Sequence, residues 1–246
     1  MNMSDTPNKQ PSRFATTHWS LIVSANEGGA TEVGGALETL CQTYWLPLYA
    51  FARRKTSSVD EAQDLTQAFF AELLEKEFLK SADPNRGRFR SFLLTAFKNF
   101  MSKQWEKNRA QKRGGGVSPL SLDFQSADSS ISLEPEKGLT AEKIFDQQWV
   151  LALLNQIFAR LQSEADESGQ TDRFNALKGF VVGAPSGETY QSVADELGIT
   201  VAAAKKAASR LRGRYRDLLR EEISHTVSNE NEIDDEIRKL FTVFKA

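Results

Sequence analysis

Cysteine and histidine are nearly missing from this chain of 246 residues, which holds one cysteine, Cys41, and two histidines, His18 and His225. A lone cysteine excludes an internal disulfide, and two histidines without a cysteine cluster leave no zinc-ligand set. Neither a metal nor another cofactor is expected. Long apolar runs are missing too: none approaches the roughly 20 residues that span a bilayer. The opening MNMSDTPNKQPSR lacks the apolar stretch of a secretory signal. The expectation is a cytoplasmic protein with no membrane contact. Signs of catalysis are equally sparse. GGGVS at 114–118 lacks the lysine of a phosphate-binding loop, Cys41 has no histidine near it in sequence, and no paired carboxylates sit in a recognisable cleft pattern. No catalytic residue is expected, and the chain reads as a non-enzyme.

Period-two alternation is absent, and what is present is helical periodicity. One helix is expected over Ala36–Lys55, bent by Pro47 in YWLPLY, where the missing N–H and the ring clash interrupt the ladder. Ser58 and Glu61 in SSVDEAQDL form a capping box that opens a second helix running to about Leu79. After the loop KSADPNRGRFR, a third helix runs from about Phe89 to Gln111, stopped by Gly114–Gly116. Residues 114–139 are rich in Gly, Ser, Pro and Asp and read as a flexible acidic linker. Beyond it, Ile144, Trp149, Leu151, Leu154, Ile157, Phe158 and Leu161 recur at three- and four-residue spacing, and another helix follows around Arg173–Val182. The fold class expected is all-α, with two small helical domains joined by a flexible linker. The boundaries are an extension at 1–35, a first domain at 36–113, the linker at 114–139, a second domain at 140–224 and an acidic amphipathic extension at 225–246.

The net charge is only −2, but the charge lies in blocks. From Lys98 to Arg113 six basic residues face one acid, and from Ala203 to Arg220 seven face one. Between them, Ser121–Asp172 holds ten acids against three bases, and Glu221–Ala246 holds seven against three. Two separated basic surfaces on a near-neutral chain fit a polyanion touched at two places. Solvated helix faces are the plainer alternative.

Three stretches carry the functional reading. In VADELGITVAAAKKAASRLR, Ala194 precedes Gly198 by four residues, the spacing of a helix-turn-helix: a small side chain lets two helices cross closely and glycine takes the positive φ of the turn. Val201, Ala204, Ala208, Leu211, Tyr215 and Leu218 form an inward stripe in the helix that follows, leaving Lys205, Lys206, Ser209, Arg210 and Arg212 outside. The turn at Thr200 offers N–H groups to phosphate. A three-helix packing unit with a wet basic face remains the alternative. In DEAQDLTQAFFAELL, Ala62, Leu65, Phe69 and Leu73 point inward and Glu61, Asp64 and Gln67 form an acidic surface suited to a basic protein partner. In FRSFLLTAFKNFMSKQWEKNRAQKR, Phe92, Phe97, Phe100 and Trp105 are interleaved with cations, a pattern suited to unstacked bases. Helical spacing buries most of these rings and leaves Trp105 best placed to reach nucleic acid. The preceding loop, with Asn85, Arg86 and Arg88, is suited to hold a flipped nucleotide.

The order of YWLPLYAFARR, DEAQDLTQAFFAELL, FRSFLLTAFKNF with its basic run, an acidic linker and GETYQSVADELGITVAAAKKAASRLRGRYRDLL resembles the extracytoplasmic-function class of bacterial RNA polymerase sigma factors, over roughly residues 36–222. The resemblance implies core RNA polymerase and promoter DNA as partners. It places Asp64, Leu65 and Gln67, with Glu61 beside them, on the helix that docks on the clamp helices of the polymerase's largest subunit. Asn85, Arg86 and Arg88 fall in the loop that captures a base extruded from the downstream (minus ten) element. Asn99, Lys103, Trp105, Lys107 and Arg109 match the helix that reads and melts that element. Thr200, Ala202, Ala203, Lys205, Lys206, Ser209, Arg210 and Arg212 match the recognition helix for the upstream (minus thirty-five) element. The linker would thread the polymerase's active-site cleft and RNA exit channel as an acidic mimic of nucleic acid. The chain departs from the family pattern at Lys103 and Glu106, where an aspartate and an arginine are commoner, and at Ala204, where a larger β-branched residue is.

At the ends, RFATTHWSLI, Arg13–Ile22, resembles the N-terminal segment of sigma-like proteins from Planctomycetes and their relatives, with His18 and Trp19 read as packing residues. Ile233, Ile237, Leu240, Phe241 and Phe244 form an apolar stripe on an acidic C-terminal helix. That helix covers a basic DNA-binding face, offers itself to a partner, or caps the second domain. The resemblance also admits an anti-sigma or other regulatory protein as a partner. The competing function is a stand-alone helix-turn-helix transcription regulator, which needs a dimerisation surface and has no use for the acidic face at Asp64 and Gln67.

Overall fold

The computed structural model describes residues 30–74, 88–110, 139–182, 189–227 and 229–244. Among them no strand occurs, and the fold is all-α. The expected N-terminal segment Arg13–Ile22 and most of the segment 114–139 lie outside the described residues.

Helix α1, Ala30–Lys55, keeps Pro47 inside it and ends on Arg53, Arg54 and Lys55, whose charges suit the negative end of the helix dipole. Helix α2, Val59–Leu74, starts where the Ser58 hydroxyl accepts the Glu61 N–H at 3.4 Å. Helix α3 spans Phe89–Ala110. Helix α4, Ala141–Glu167, is capped by Thr140, whose side chain accepts the Lys143 N–H at 3.2 Å. Gly169, at φ 68°, turns the chain into the short α5, Thr171–Leu177, followed by α6, Gly179–Val182. Helix α7, Tyr190–Leu197, opens on a capping box between Thr189 and Ser192. Helix α8 runs from Val201 to Ser224. A 3₁₀ turn at Glu230–Glu232 leads into α9, Ile233–Thr242.

The expected helix over Arg173–Val182 is thus two short helices. The expected stripe on α4 is also rotated: Ala141, Phe145, Trp149, Val150, Leu153, Ile157 and Leu161 are buried, while Leu151 is 42% exposed. The reason is that α4 has neighbours on two sides, α1 along one face and α5, α8 and α9 along others. A helix sandwiched in this way carries apolar residues over a wide arc, and spacing alone does not fix which are innermost.

The apolar core does not divide at the segment 114–139. One buried cluster takes Leu48, Phe51, Phe69 and Phe97 from α1–α3 together with Phe145, Trp149 and Leu153 from α4, Ile223 from α8 and Leu240 from α9. Among the described residues the most extensive helix packing is α1 on α4, which joins the two expected bodies. A second, smaller cluster holds α5, α6, α7 and the first half of α8 together. Cys41 is half-buried, and burial with Glu38 beside it pushes the thiol up to about 11, so it stays protonated and inert.

Candidate nucleic-acid interface

On α2, Asp64 is exposed and Gln67 half-buried, so both are open on the surface. Leu65 is buried in the main cluster, on the inward stripe its spacing predicts, so within the docking helix of the resemblance it faces the core while Asp64 and Gln67 face out. Glu61 does not close a capping box with its side chain. Its carboxylate instead accepts the indole N–H of Trp105 at 2.9 Å, tying α2 to α3. Trp105 packs half-buried against the cluster, so its polar edge is already engaged by protein.

On α3, Asn99, Lys103 and Lys107 are exposed and follow one another at four-residue spacing, so they share one face of the helix. Phe97 and Phe100 are buried, with ring centroids 4.9 and 5.5 Å from that of Phe69. The aromatic interleaving is therefore mostly core. Lys98 also turns inward, 5.6 Å above the Phe51 ring and 2.7 Å from Glu142 of α4, whose carboxyl this bond lowers. Arg109 lies in α3 with its side chain outside the described residues, as are Asn85 and Arg86 entirely.

Arg88, just before α3, has a different surrounding from the one expected. Its guanidinium lies 2.5 Å from Glu236 of α9, a carboxylate with no exposed surface. Arg90 pairs with the other oxygen of Glu236, lies 3.7 Å from Asp146 and stacks 4.8 Å above the Trp149 ring. Burial raises the Asp146 carboxyl against the pull of Arg90. Neither Arg90 nor Glu236 stands out in the sequence, since nothing local marks a pair separated by 146 positions.

The α7–α8 elbow is built as its residues require. Gly198 sits at φ 62° and ψ 34°, the left-handed region that favours glycine, and the Ile199 N–H reaches the Ala194 carbonyl at 2.9 Å. Thr200 caps α8 by accepting the Ala203 N–H at 3.2 Å. Ala204 and Ala208 have no exposed surface, so α8 approaches its neighbours closely. Thr200, Ala202, Lys205, Lys206, Ser209, Arg210 and Arg212 are exposed, and Ala203 half-buried. Val201, Leu211 and Tyr215, expected inside, are half-buried, while Ala207, Leu219 and Ile223 complete the inner face.

Ion pairs sort the cations of α8. Arg214 grips Glu164 of α4 with two bonds, at 2.6 and 2.8 Å, and each group stabilises the charged form of the other. Arg220 pairs with Asp234 of α9. Lys205, Lys206, Arg210, Arg212 and Arg216 form no ion pair among the described residues. The cations left open thus run along α8 from Lys205 and Lys206, near the exposed turn at Thr200, as far as Arg216.

The part of this surface that lies on α2 and α3 belongs to a stretch that matches a known family. Residues 40–111 match the family model of Sigma-70 region 2. The matched residues cover α1 from Leu40 onward and all of α2 and α3, and they include Asp64, Gln67, Arg88, Asn99, Lys103 and Lys107. The match supports a sigma-factor role in promoter recognition by RNA polymerase, with core polymerase and promoter DNA as partners. No curated protein and no solved structure matches the chain. Among the described residues, no helix is long and apolar enough to cross a membrane.

Proposed function

We propose that the chain is a cytoplasmic sigma factor of the extracytoplasmic-function class, resembling the Planctomycetes subgroup, that binds core RNA polymerase and directs promoter-specific initiation by reading two elements. The observation that carries the proposal is the sigma-70 region 2 match over α1–α3. In this reading residues 36–113 act as region 2, with Asp64 and Gln67 docking on polymerase. Asn99, Lys103 and Lys107 contact the downstream element. Residues 140–224 act as region 4, a helix-turn-helix whose exposed cations at the start of α8 enter a major groove at the upstream element.

Two measurements test it. Replacing Asp64 and Gln67 by alanine is expected to weaken binding to purified core polymerase, and unchanged affinity counts against the assignment. Replacing Lys205 and Arg210 by alanine is expected to flatten the log-log salt dependence of upstream-element binding by about 0.9 for each phosphate that is no longer neutralised. An intact salt slope in that double variant removes α8 from the interface.

A further inference from the structure

Glu236 has no part in the function proposed above, yet it is placed with more constraint than any other acid of the C-terminal helix. It is fully buried and holds two arginines, Arg88 at 2.5 Å and Arg90 on its other oxygen. Helix α9, which carries it, is fastened along its length. Ile233 and Leu240 enter the main cluster, Asp234 pairs with Arg220 of α8, and the Gln147 side chain of α4 donates to the Val243 carbonyl at 2.9 Å. The result is an acidic helix spanning α8, α4 and the start of α3. The Arg88 carbonyl accepts the first N–H groups of α3, from Ser91 and Phe92, at 3.1 Å each, so the position of Arg88 relative to α3 is fixed.

We infer that α9 is an internal latch: Glu236 neutralises Arg88 and withholds it from single-stranded DNA, so that the nucleic acid and α9 compete for the same guanidinium. The inference rests on the reading of Arg88 as a contact to the downstream element. The two arginines have separable roles. Arg90, stacked on Trp149 and facing Asp146, is held by α4 whether or not α9 is seated. Arg88 is 27% exposed along its side chain and has Glu236 as its one ion-pair partner among the described residues, which makes it the group able to exchange a carboxylate for a phosphate. Because coupling is reciprocal, DNA that takes Arg88 must loosen α9 by the same factor by which α9 weakens DNA binding.

The test uses the full chain and an end-labelled single-stranded DNA of mixed sequence, titrated over a range of salt. Glu236→Gln is expected to tighten binding about tenfold, as for a competent state populated about one time in ten. Its log-log salt slope is expected to steepen by about 0.7, the value for one added phosphate contact on a single strand. Arg88→Ala in the Glu236→Gln background is expected to return the slope to that of the parent. Asp235→Asn, which removes the same charge from an exposed site of the same helix, is expected to leave the slope unchanged. If Glu236→Gln does not fold, Asp234→Asn loosens α9 from its exposed tie to Arg220 and is expected to steepen the slope in the same direction by less. Hydrogen exchange of the 233–242 amides in the parent is expected to quicken when the DNA is added. Equal effects of Glu236→Gln and Asp235→Asn, or exchange that is indifferent to DNA, overturn the latch. If α9 loosens in Glu236→Gln with no change in slope while core polymerase still binds, the latch fails and the sigma-factor reading stands. If core polymerase does not bind the parent in the same preparation, that reading itself fails.

Discussion

The two buried clusters hold their helices together by opposite means. The larger one is built from wide side chains: Tyr44, Tyr49, Phe51, Phe69, Phe70, Phe89, Phe97, Phe145 and Trp149 are all almost fully buried. The smaller one, around the α7–α8 elbow, has five alanines among its eight buried residues. Aromatic rings remove large areas from water and meet edge to face, as Phe69 and Phe97 do at 4.9 Å. Alanines bury little but let helix axes come close, leaving long basic side chains outside. The difference teaches that the elbow relies on backbone devices, namely Gly198, the Thr200 cap and the Thr189–Ser192 box, where the larger cluster relies on area.

The largest effect that sharpens this contrast is expected from Phe97→Ala. It should cost about 3 to 5 kcal/mol of unfolding free energy in a urea titration. Because the cluster is continuous, protection of amides in α4 should fall together with that of α1–α3. A fall confined to α1–α3 breaks the picture of one core.

Next comes Glu222, buried on α8, which burial raises from 4.5 to about 7 despite Arg160 at 3.3 Å. A raised carboxyl means the folded chain binds the proton more tightly than the unfolded one. Its stabilising contribution is therefore complete below pH 4.5 and is lost as pH rises to about 7, a fall of about 1 to 3 kcal/mol. Glu222→Gln should flatten that slope and leave the variant more stable than the parent at pH 8, as read by denaturation at several pH values.

A smaller effect belongs to Gly198→Ala. An added Cβ meets nothing within 4 Å there, so only the positive φ of 62° is penalised, by about 1 to 2 kcal/mol. Exchange should quicken at α7 and the start of α8 while the large cluster keeps its protection. The smallest is Trp105→Phe, which deletes the bond to Glu61 and should cost about 1 kcal/mol. Unchanged stability removes that bond as a tie between α2 and α3.

What could be read from the sequence was local. The Gly198 turn, the start of α3 at Phe89 and the inward stripe of α2 all follow from interactions spanning a turn or less, whereas the Thr200 side chain takes the Ala203 N–H, one of the groups the turn was expected to offer to phosphate. What could not be read was long-range pairing. Arg214 and Glu164 lie 50 positions apart, and Arg90 and Glu236 lie 146 apart, so a basic run and an acidic block gave no sign of which charges would neutralise each other. The register of α4 was illegible for a related reason: helices on several sides draw on its apolar residues, and a periodicity carries only one direction. The hydrophobic spacing could not announce that α1 and α4 would share one interior.

That shared interior changes what the peptide connection between the halves is needed for. A piece ending at residue 110 and a piece beginning at 139 each carry part of one aromatic interior, the first with Phe51 and Phe97, the second with Phe145 and Trp149. Each exposes the apolar face that the other would cover. The pair is accordingly suited to non-covalent reassembly from separately made fragments, with covalent continuity acting mainly to raise the local concentration of one half around the other.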